Sequence, residues 1–171
     1  DVTGRAAEPV SDGINMISCF GDNAAVEGDP QLAQVSESGD RATRDRPYFD
    51  WDYVCPTNEE YRRGLVEMID DAVAENDDLR LDDVGFAREE YCHCERCTRQ
   101  FEASEFDDWM AWRADLITGF VRDARERVPG DLLLTLYPDP YGDHLYRRSG
   151  LDLAELEHLV DEFVVPLYDT A

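Results

Sequence analysis

Three of the five cysteines in this sequence lie within a single six-residue segment. They are Cys92, Cys94 and Cys97. This spacing can bring three thiolates around one ion, and structural zinc sites take four such ligands. Cys55 is favoured as the fourth ligand because it precedes a helix start that we expect at the same rim of a sheet; His93 and Cys19 are the alternatives. With four protein ligands, the predicted zinc is structural and not catalytic.

Carboxylates are the second group of residues that could carry out chemistry. Asp82 and Asp83 interrupt the apolar run Leu79–Phe86, and a carboxylate in a buried strand must be paired or functional. Glycoside hydrolysis needs two carboxyl groups that flank the bond to be cleaved. The catalytic candidates are therefore Asp83, Glu89 and Asp169. The candidates for binding a sugar through hydrogen bonds or stacking are Arg88, Tyr137, Asp139 and Tyr168.

Apolar runs suited to buried strands alternate with helical patterns along the chain. The predicted strands are Ile14–Phe20, Leu79–Phe86, Asp131–Tyr137 and Phe163–Tyr168. A capping box with Thr57 as its first residue predicts one long helix, and Asp107 or Asp108 is expected to cap a second. A long polar loop is predicted over residues 21–50, with a helical turn after Pro30.

Strands that alternate with helices predict right-handed βαβ units and a parallel sheet. Four predicted strands are half of the eight that close a barrel. We therefore expect an α/β fold, as a partial or truncated TIM-type (β/α) barrel with a structural zinc knuckle; a small doubly wound sheet is the alternative. A single domain is expected over residues 1–171, with the zinc-binding region at 55–97. A half-barrel leaves an exposed sheet edge, which a homo-oligomer would cover.

The charge balance indicates the solvent in which the protein works. Forty acidic residues oppose 16 basic ones, the net charge is -24, and every basic residue is Arg. Molar salt reduces the Debye length to about 3 Å, which suppresses this self-repulsion. We interpret the composition as adaptation to the high-salt cytoplasm of a halophile. An acidic surface argues against a nucleic-acid partner, and no apolar run approaches the roughly 20 residues that span a membrane.

A cysteine ahead of a helix, an acidic strand end and a Cys-x-Cys-x2-Cys cluster resemble the catalytic barrel of the zinc-containing β-galactosidases. More broadly, they resemble the glycoside-hydrolase (β/α)8 superfamily, over about Asp50 to Arg113. The resemblance implies a structural zinc, with the ligands Cys55, Cys92, Cys94 and Cys97. It also implies a general acid/base at the position of Asp83, with Asp82 where the family has Asn. The family has Glu at the acid/base position and a nucleophile on strand seven, and this sequence matches neither.

Two functions are consistent with these features. The first is a zinc-stabilised, carbohydrate-active barrel protein of the glycoside-hydrolase type, with a carbohydrate ligand and an acid/base carboxylate at the end of the Leu79–Phe86 strand. The second is a non-catalytic, zinc-stabilised binding or assembly module on the same scaffold. Two carboxylates that face each other across a pocket would favour the first function over the second.

Overall fold

The fold is built on a single four-stranded parallel sheet, as seen in a computed structural model that describes residues 8–138 and 141–167. Its strands are β1 (Asn15–Ser18), β2 (Leu79–Asp82), β3 (Leu132–Thr135) and β4 (Glu162–Val164). Their order across the sheet is their order along the chain. Each strand is shorter than the apolar run that predicted it. At β2 the reason is local, because Asp83 adopts a left-handed conformation (φ 49°) that ends the extended backbone.

Helices connect the strands, as the sequence pattern predicts. They are α1 (Asn23–Gly28), α2 (Glu59–Glu75), α3 (Glu95–Glu102), α4 (Trp109–Arg125), α5 (His144–Ser149) and α6 (Leu153–Leu156). The N-cap of α2 is Asn58 and not Thr57, because the Asn58 side chain accepts a hydrogen bond from the Tyr61 amide. The Thr57 hydroxyl instead lies 3.1 Å from Cys55 Sγ. Asp108 caps α4, as one of the two predicted candidates.

The polar segment over residues 21–50 contains more regular structure than a loop. The helical turn expected after Pro30 is present as a 3-10 helix at Pro30–Leu32. Helix α1 was missed because it has one short turn of apolar residues, although Asp22 caps it by accepting a hydrogen bond from Ala25. This segment returns to the sheet region through antiparallel bridges that join Gly21 to Tyr53 and Ala33 to Val54.

The hydrophobic core lies on one face of the sheet. Leu79, Leu81, Leu132 and Leu134 are fully buried there. They pack in one cluster with apolar residues of α2 and α4, including Leu65, Ile69, Ile117 and Phe120. Because side chains alternate along a strand, the residues between them point to the opposite face. We call that side the open face; the register places on it Met16, Ser18, Arg80, Asp82, Leu133 and Thr135.

Successive parallel βα units covered by helices on one face are the architecture of a partial TIM-like barrel. Within the described residues, β1 and β4 each pair on one side only, so both form sheet edges. Met16 on β1 is 52% exposed, as expected for an uncovered barrel interior. No helix in the described parts of the chain is both long and apolar enough to cross a bilayer. Assembly into a homo-oligomer stays a prediction.

Candidate functional site: a four-cysteine cluster and a carboxylate cavity

Four cysteines converge beside the carboxyl end of the sheet. Cys55 lies just before α2, Cys94 is the N-cap of α3, and Cys97 lies in the first turn of α3. With Cys92, their sulfur atoms all lie within 4.8 Å of one another. Cys55 Sγ is 3.4 Å from Cys97 Sγ and 3.7 Å from Cys94 Sγ. The structure thus brings together the four residues that the sequence suggested as metal ligands.

The geometry and chemistry of this cluster fit a tetrahedral metal ion. Sulfur atoms about 2.3 Å from a tetrahedral ion lie roughly 3.8 Å apart, close to the separations observed here. Three of the cysteines are buried, and none of the five in the chain forms a disulfide. The Val35 amide donates to Cys92 Sγ over 3.2 Å, as expected for a thiolate acceptor. Hydrogen bonds from neighbouring thiols, Cys55 first, lower the pKa of Cys94, whereas those within the cluster raise the pKa of Cys92 and Cys97.

The two alternative ligands have other roles. His93 stacks on Trp109 with ring centroids 4.6 Å apart, and its Nε2 lies 3.7 Å from a carboxylate oxygen of Glu37. Cys19 is fully buried, and its thiol lies 3.6 Å from the carbonyl oxygen of Ile17. Neither residue belongs to the four-sulfur group. The donor set is therefore all cysteine.

A second feature, which we call the carboxylate cavity, opens at the carboxyl ends of the strands. It encloses about 550 Å³. Its lining comes from all four strand regions and includes Met16, Ser18, Asp50, Trp51, Asp82, Asp83, Thr135, Tyr137 and Pro166. Ligands of parallel α/β proteins bind at this end of the sheet, because the loops that follow the strands meet there.

Asp83 occupies the centre of this arrangement. Its carboxylate oxygen Oδ2 lies 2.9 Å from the Ser18 hydroxyl, which also lies 2.8 Å from the carbonyl oxygen of Gly21. A Cβ atom on Gly21 would approach Asp83 Oδ2 to 2.8 Å, so a side chain at this position would displace the carboxylate. Burial, followed by repulsion from Asp82, raises the pKa of Asp83 from 3.8 to about 6. A carboxyl group with this pKa exchanges a proton near neutral pH.

Aromatic groups line the cavity beside Asp83. Trp51 is half-buried in its wall, and the Tyr137 hydroxyl lies 3.1 Å from that of Tyr53. The Arg148 guanidinium covers the Tyr137 ring at 4.4 Å from its centroid. Burial raises the pKa of both phenols, Tyr53 and Tyr137, so they stay protonated hydrogen-bond donors. An indole and a phenol beside a protonatable carboxyl could hold an uncharged polyol such as a sugar.

Two other candidates from the sequence, Glu89 and Arg88, do not line this cavity. Glu89 pairs with Arg147 on the surface, and that hydrogen bond lowers its pKa. Arg88 lies between the rings of Tyr48 and Phe49, at 5.3 and 5.5 Å from their centroids. Among the residues that the structure describes, neither is part of the cavity wall. Three further candidates, Asp139, Tyr168 and Asp169, lie outside the described residues.

Several residues of these sites were missed at the sequence level. Ser18, Asp50 and Trp51 approach Asp83 only through tertiary packing, and no local pattern marked them. Arg113 did carry a signal, because it stands within the apolar stripe of α4. It is fully buried and donates hydrogen bonds to the main-chain carbonyls of Arg88, Glu89, Arg147 and Arg148. It thereby fixes the segment that leads to Cys92 against α5.

Comparison with known proteins identifies the fold but no family. No protein-family model matches the chain, and neither does any curated protein. The glycoside hydrolase domain of PgaB (BpsB) from Bordetella bronchiseptica superposes with a TM-score of 0.66 over 89% of this chain, at 15% identity. Alpha-L-fucosidase isoenzyme 2 from Paenibacillus thiaminolyticus superposes with a TM-score of 0.58 over 70% of this chain, at 22% identity.

The chain has a glycoside-hydrolase-like fold. The matched regions cover 50% of the PgaB domain structure and 19% of the fucosidase, so this chain spans half or less of each. At these identities the likeness concerns the path of the backbone, and it assigns no reaction and no catalytic residue.

Proposed function

We propose that this protein is a zinc-stabilised, carbohydrate-active domain of the glycoside-hydrolase type, in which Asp83 is the general acid/base. The observation that carries this proposal is the raised pKa of Asp83, about 6, in a cavity of about 550 Å³ with an indole and a phenol in its wall. Efficient proton transfer requires a pKa near the working pH. The fold shared with two glycoside hydrolase structures supports the same class of ligand.

The second carboxyl group that glycoside cleavage needs has two candidates within the described cavity. Asp50 and Asp82 both line it, and Asp82 Oδ1 accepts a hydrogen bond from the Asp83 amide. Asp169 stays a third candidate by its position after the last predicted strand. In this proposal the Tyr137 hydroxyl, which the buried Tyr53 hydroxyl pairs with, and the Trp51 ring hold the sugar, while Asp83 delivers the proton to the leaving oxygen.

We further propose that the ion held by the four cysteines is zinc with a structural role, as in the zinc-containing β-galactosidases that the sequence resembles. A donor set of four cysteines selects a thiophilic ion and leaves no ligand position for water or substrate. The zinc would hold the loops around Cys55 and Cys92–Cys97 together. The acid/base work falls to the carboxylates. We also propose that residues 1–171 form a single domain and that the protein works in a high-salt cytoplasm.

One observation favours the alternative of a non-catalytic, zinc-stabilised binding or assembly module. Glu89, the other catalytic candidate among the described residues, pairs with Arg147 on the surface and does not face Asp83 across the cavity. A single acid without a nucleophile or a base would bind a sugar and not cleave it.

A glycan screen in molar KCl separates these two functions. Zinc-loaded protein is tested against a panel of 4-nitrophenyl glycosides and soluble polysaccharides, for product release and for change in tryptophan fluorescence. The proposal predicts hydrolysis that falls by about 100-fold or more in Asp83→Asn. Binding without hydrolysis would support the binding module. If the zinc-loaded, folded protein neither bound nor hydrolysed any of these glycans, that result would contradict the carbohydrate proposal itself.

A further inference from the structure

One short segment contacts both the cysteine cluster and the loop that begins at Asp83. We call this segment, Leu32–Val35, the bridging segment. On the cysteine side, the Leu32 carbonyl accepts from the Cys55 amide over 2.8 Å. The Val35 amide donates to Cys92 Sγ over 3.2 Å, and its carbonyl accepts from the His93 amide over 2.6 Å. The segment is therefore bonded to both halves of the four-cysteine cluster.

On the carboxylate side, the connection is the side chain of Gln34, which is fully buried. Its Oε1 accepts from the Ala87 amide over 3.0 Å. Its Nε2 donates to the carbonyls of Val54 and Gly85, over 3.1 and 3.4 Å. One side chain thus joins the residue before Cys55 to the loop that follows Asp83.

This loop depends on such bonds because its backbone is strained. Asp83 has φ 49°, a left-handed conformation that costs a residue with a side chain free energy, whereas Gly85 reaches φ 126° without strain because it has no Cβ. At Gly85 a Cβ atom would lie 2.4 Å from the Ser149 carbonyl oxygen, so the close approach of this loop to α5 requires glycine. Loss of the Gln34 bonds would leave a buried amide and two buried carbonyls without these partners. A loop in this state would relax, and the Asp83 carboxyl would gain access to water.

We propose that Gln34 is a positioning residue that holds the Asp83 loop in place and couples it to metal binding at the four cysteines. This inference rests on the proposed role of Asp83 and extends it. A bound ion would fix the positions of Cys55 and Cys92, and these residues hydrogen-bond to the bridging segment. Gln34, which belongs to that segment, hydrogen-bonds in turn to the loop that begins at Asp83. Neither the cysteines nor the metal need to approach the carboxylate.

The electrostatic surroundings of Asp83 make the coupling measurable. The groups around its carboxyl are Asp82 beside it, Ser18 at the end of β1 and Cys19 just after it, the phenols of Tyr53, Tyr61 and Tyr137, and Asp50 in the cavity wall. The Gln34 side chain bonds to none of them. A change in the Asp83 titration caused by substitution of Gln34 therefore passes through the backbone that Gln34 holds, at Gly85 and Ala87 in the loop or at Val54 beside Tyr53.

The test variant is Gln34→Met, which keeps the length of the side chain and removes its three hydrogen bonds. Its metal content and the Asp83 carboxyl titration are compared with wild type by elemental analysis and by carbon-13 NMR. We expect unchanged metal stoichiometry and an Asp83 midpoint that falls from about 6 towards 3.8. The matched control is Thr118→Val, a buried polar residue on α4 away from both sites, which should change neither quantity. An Asp83 midpoint equal to wild type in folded Gln34→Met would overturn the proposal.

A measurement on the wild-type protein covers the case in which Gln34→Met does not fold. Hydrogen exchange is followed during stepwise removal of the metal by a chelator. The coupling predicts that the Ala87 amide loses protection together with the Val35 and His93 amides, before the amides of β2 and β3 exchange. An Ala87 amide that stays protected after Val35 and His93 have opened contradicts it. A failed glycan screen would overturn the proposed function and leave both of these readouts intact.

Discussion

The cysteine cluster and the carboxylate cavity both lie at the carboxyl end of the sheet, yet they differ in how they are completed. The cluster obtains three of its four ligands from six consecutive residues, and the described residues supply all four sulfurs. The cavity collects its lining from every strand region and remains open at Met16, which is 52% exposed. A local motif can complete a metal site, whereas a barrel active site needs the whole sheet around it.

The two regions also handle charge in opposite ways. The cluster gathers thiols that lose protons to a cation, so binding of the metal stabilises the folded state. The cavity holds Asp83 where its charged form is disfavoured, so it makes the folded state less stable at neutral pH. We therefore assign stability to the cysteines and chemistry to the carboxylate.

The largest expected effect is loss of one metal ligand. Cys55→Ser should release the ion and lower the melting temperature by roughly 10 °C or more, because structural zinc sites contribute several kcal/mol to folding. Cys19→Ala is the matched control: this cysteine is equally buried but outside the cluster, so the variant should keep full metal content. Differential scanning calorimetry with metal analysis measures both. A Cys55→Ser variant that retains equally tight metal would remove Cys55 from the ligand set.

Salt should act on the surface as a whole and on neither region in particular. A net charge of -24 repels itself in dilute buffer, and screening in molar KCl should raise the melting temperature by several degrees. The measurement is a thermal melt across a KCl series, with metal-loaded wild type and the metal-free Cys55→Ser variant compared at each point. A cooperative melt in dilute buffer as high as in molar KCl would contradict the interpretation as a halophile protein.

The raised pKa of Asp83 should make the free energy of unfolding depend on pH. The folded protein holds the Asp83 proton more tightly than the unfolded chain, so the free energy of unfolding falls as pH rises from about 4 to about 6. Asp83→Asn removes this loss, so the variant should be more stable than wild type by about 1–2 kcal/mol at about pH 8 and equally stable at about pH 4. Because water reaches part of the Asp83 carboxyl, the gain in stability stays below the free energy that corresponds to the whole pKa shift. Urea denaturation at both pH values measures it.

The control for this effect is Asp115→Asn, an exposed carboxylate on α4. It should leave the pH dependence of stability as it is in wild type. If Asp83→Asn were less stable than wild type at neutral pH, Asp83 would be a structural carboxylate and not one held ready for proton transfer.

Much of this comparison could be predicted from the sequence, and the rest could not, for physical reasons. The spacing of Cys92, Cys94 and Cys97 is a local pattern, and Asp83 was conspicuous as a carboxylate at the end of an apolar run. The parallel order of the strands followed from their alternation with helices. The cavity wall from Asp50 and Trp51 depends on how residues 21–50 fold back, and no local signal encodes that.

Glu89 illustrates the limit most clearly. Its position after a strand made it a catalytic candidate, yet Arg147, which is 58 residues further along the chain, pairs with it on the surface. The start of α2 was equally hard to predict, because Thr57 and Asn58 are both good caps. In the fold Asn58 accepts a hydrogen bond from the Tyr61 amide, while the Thr57 hydroxyl lies against Cys55.

The smallest expected effect concerns the open face. If a second copy of the chain covers it, Met16→Glu should lower the mass seen by light scattering in molar KCl. Met68→Glu is the matched control, because Met68 is 43% exposed but lies on α2, away from the open face. A wild-type protein that stays monomeric at every concentration tested would contradict the predicted homo-oligomer.

The most direct test of a zinc-stabilised domain is the metal content of protein purified without added metal, read beside a thiol titration with and without chelator. We predict about one zinc per chain, with the four cluster thiols protected until the chelator frees them and Cys19 unaffected by it. A protein without metal, in which all five thiols react without chelator as soon as the chain unfolds, would contradict the zinc-stabilised domain.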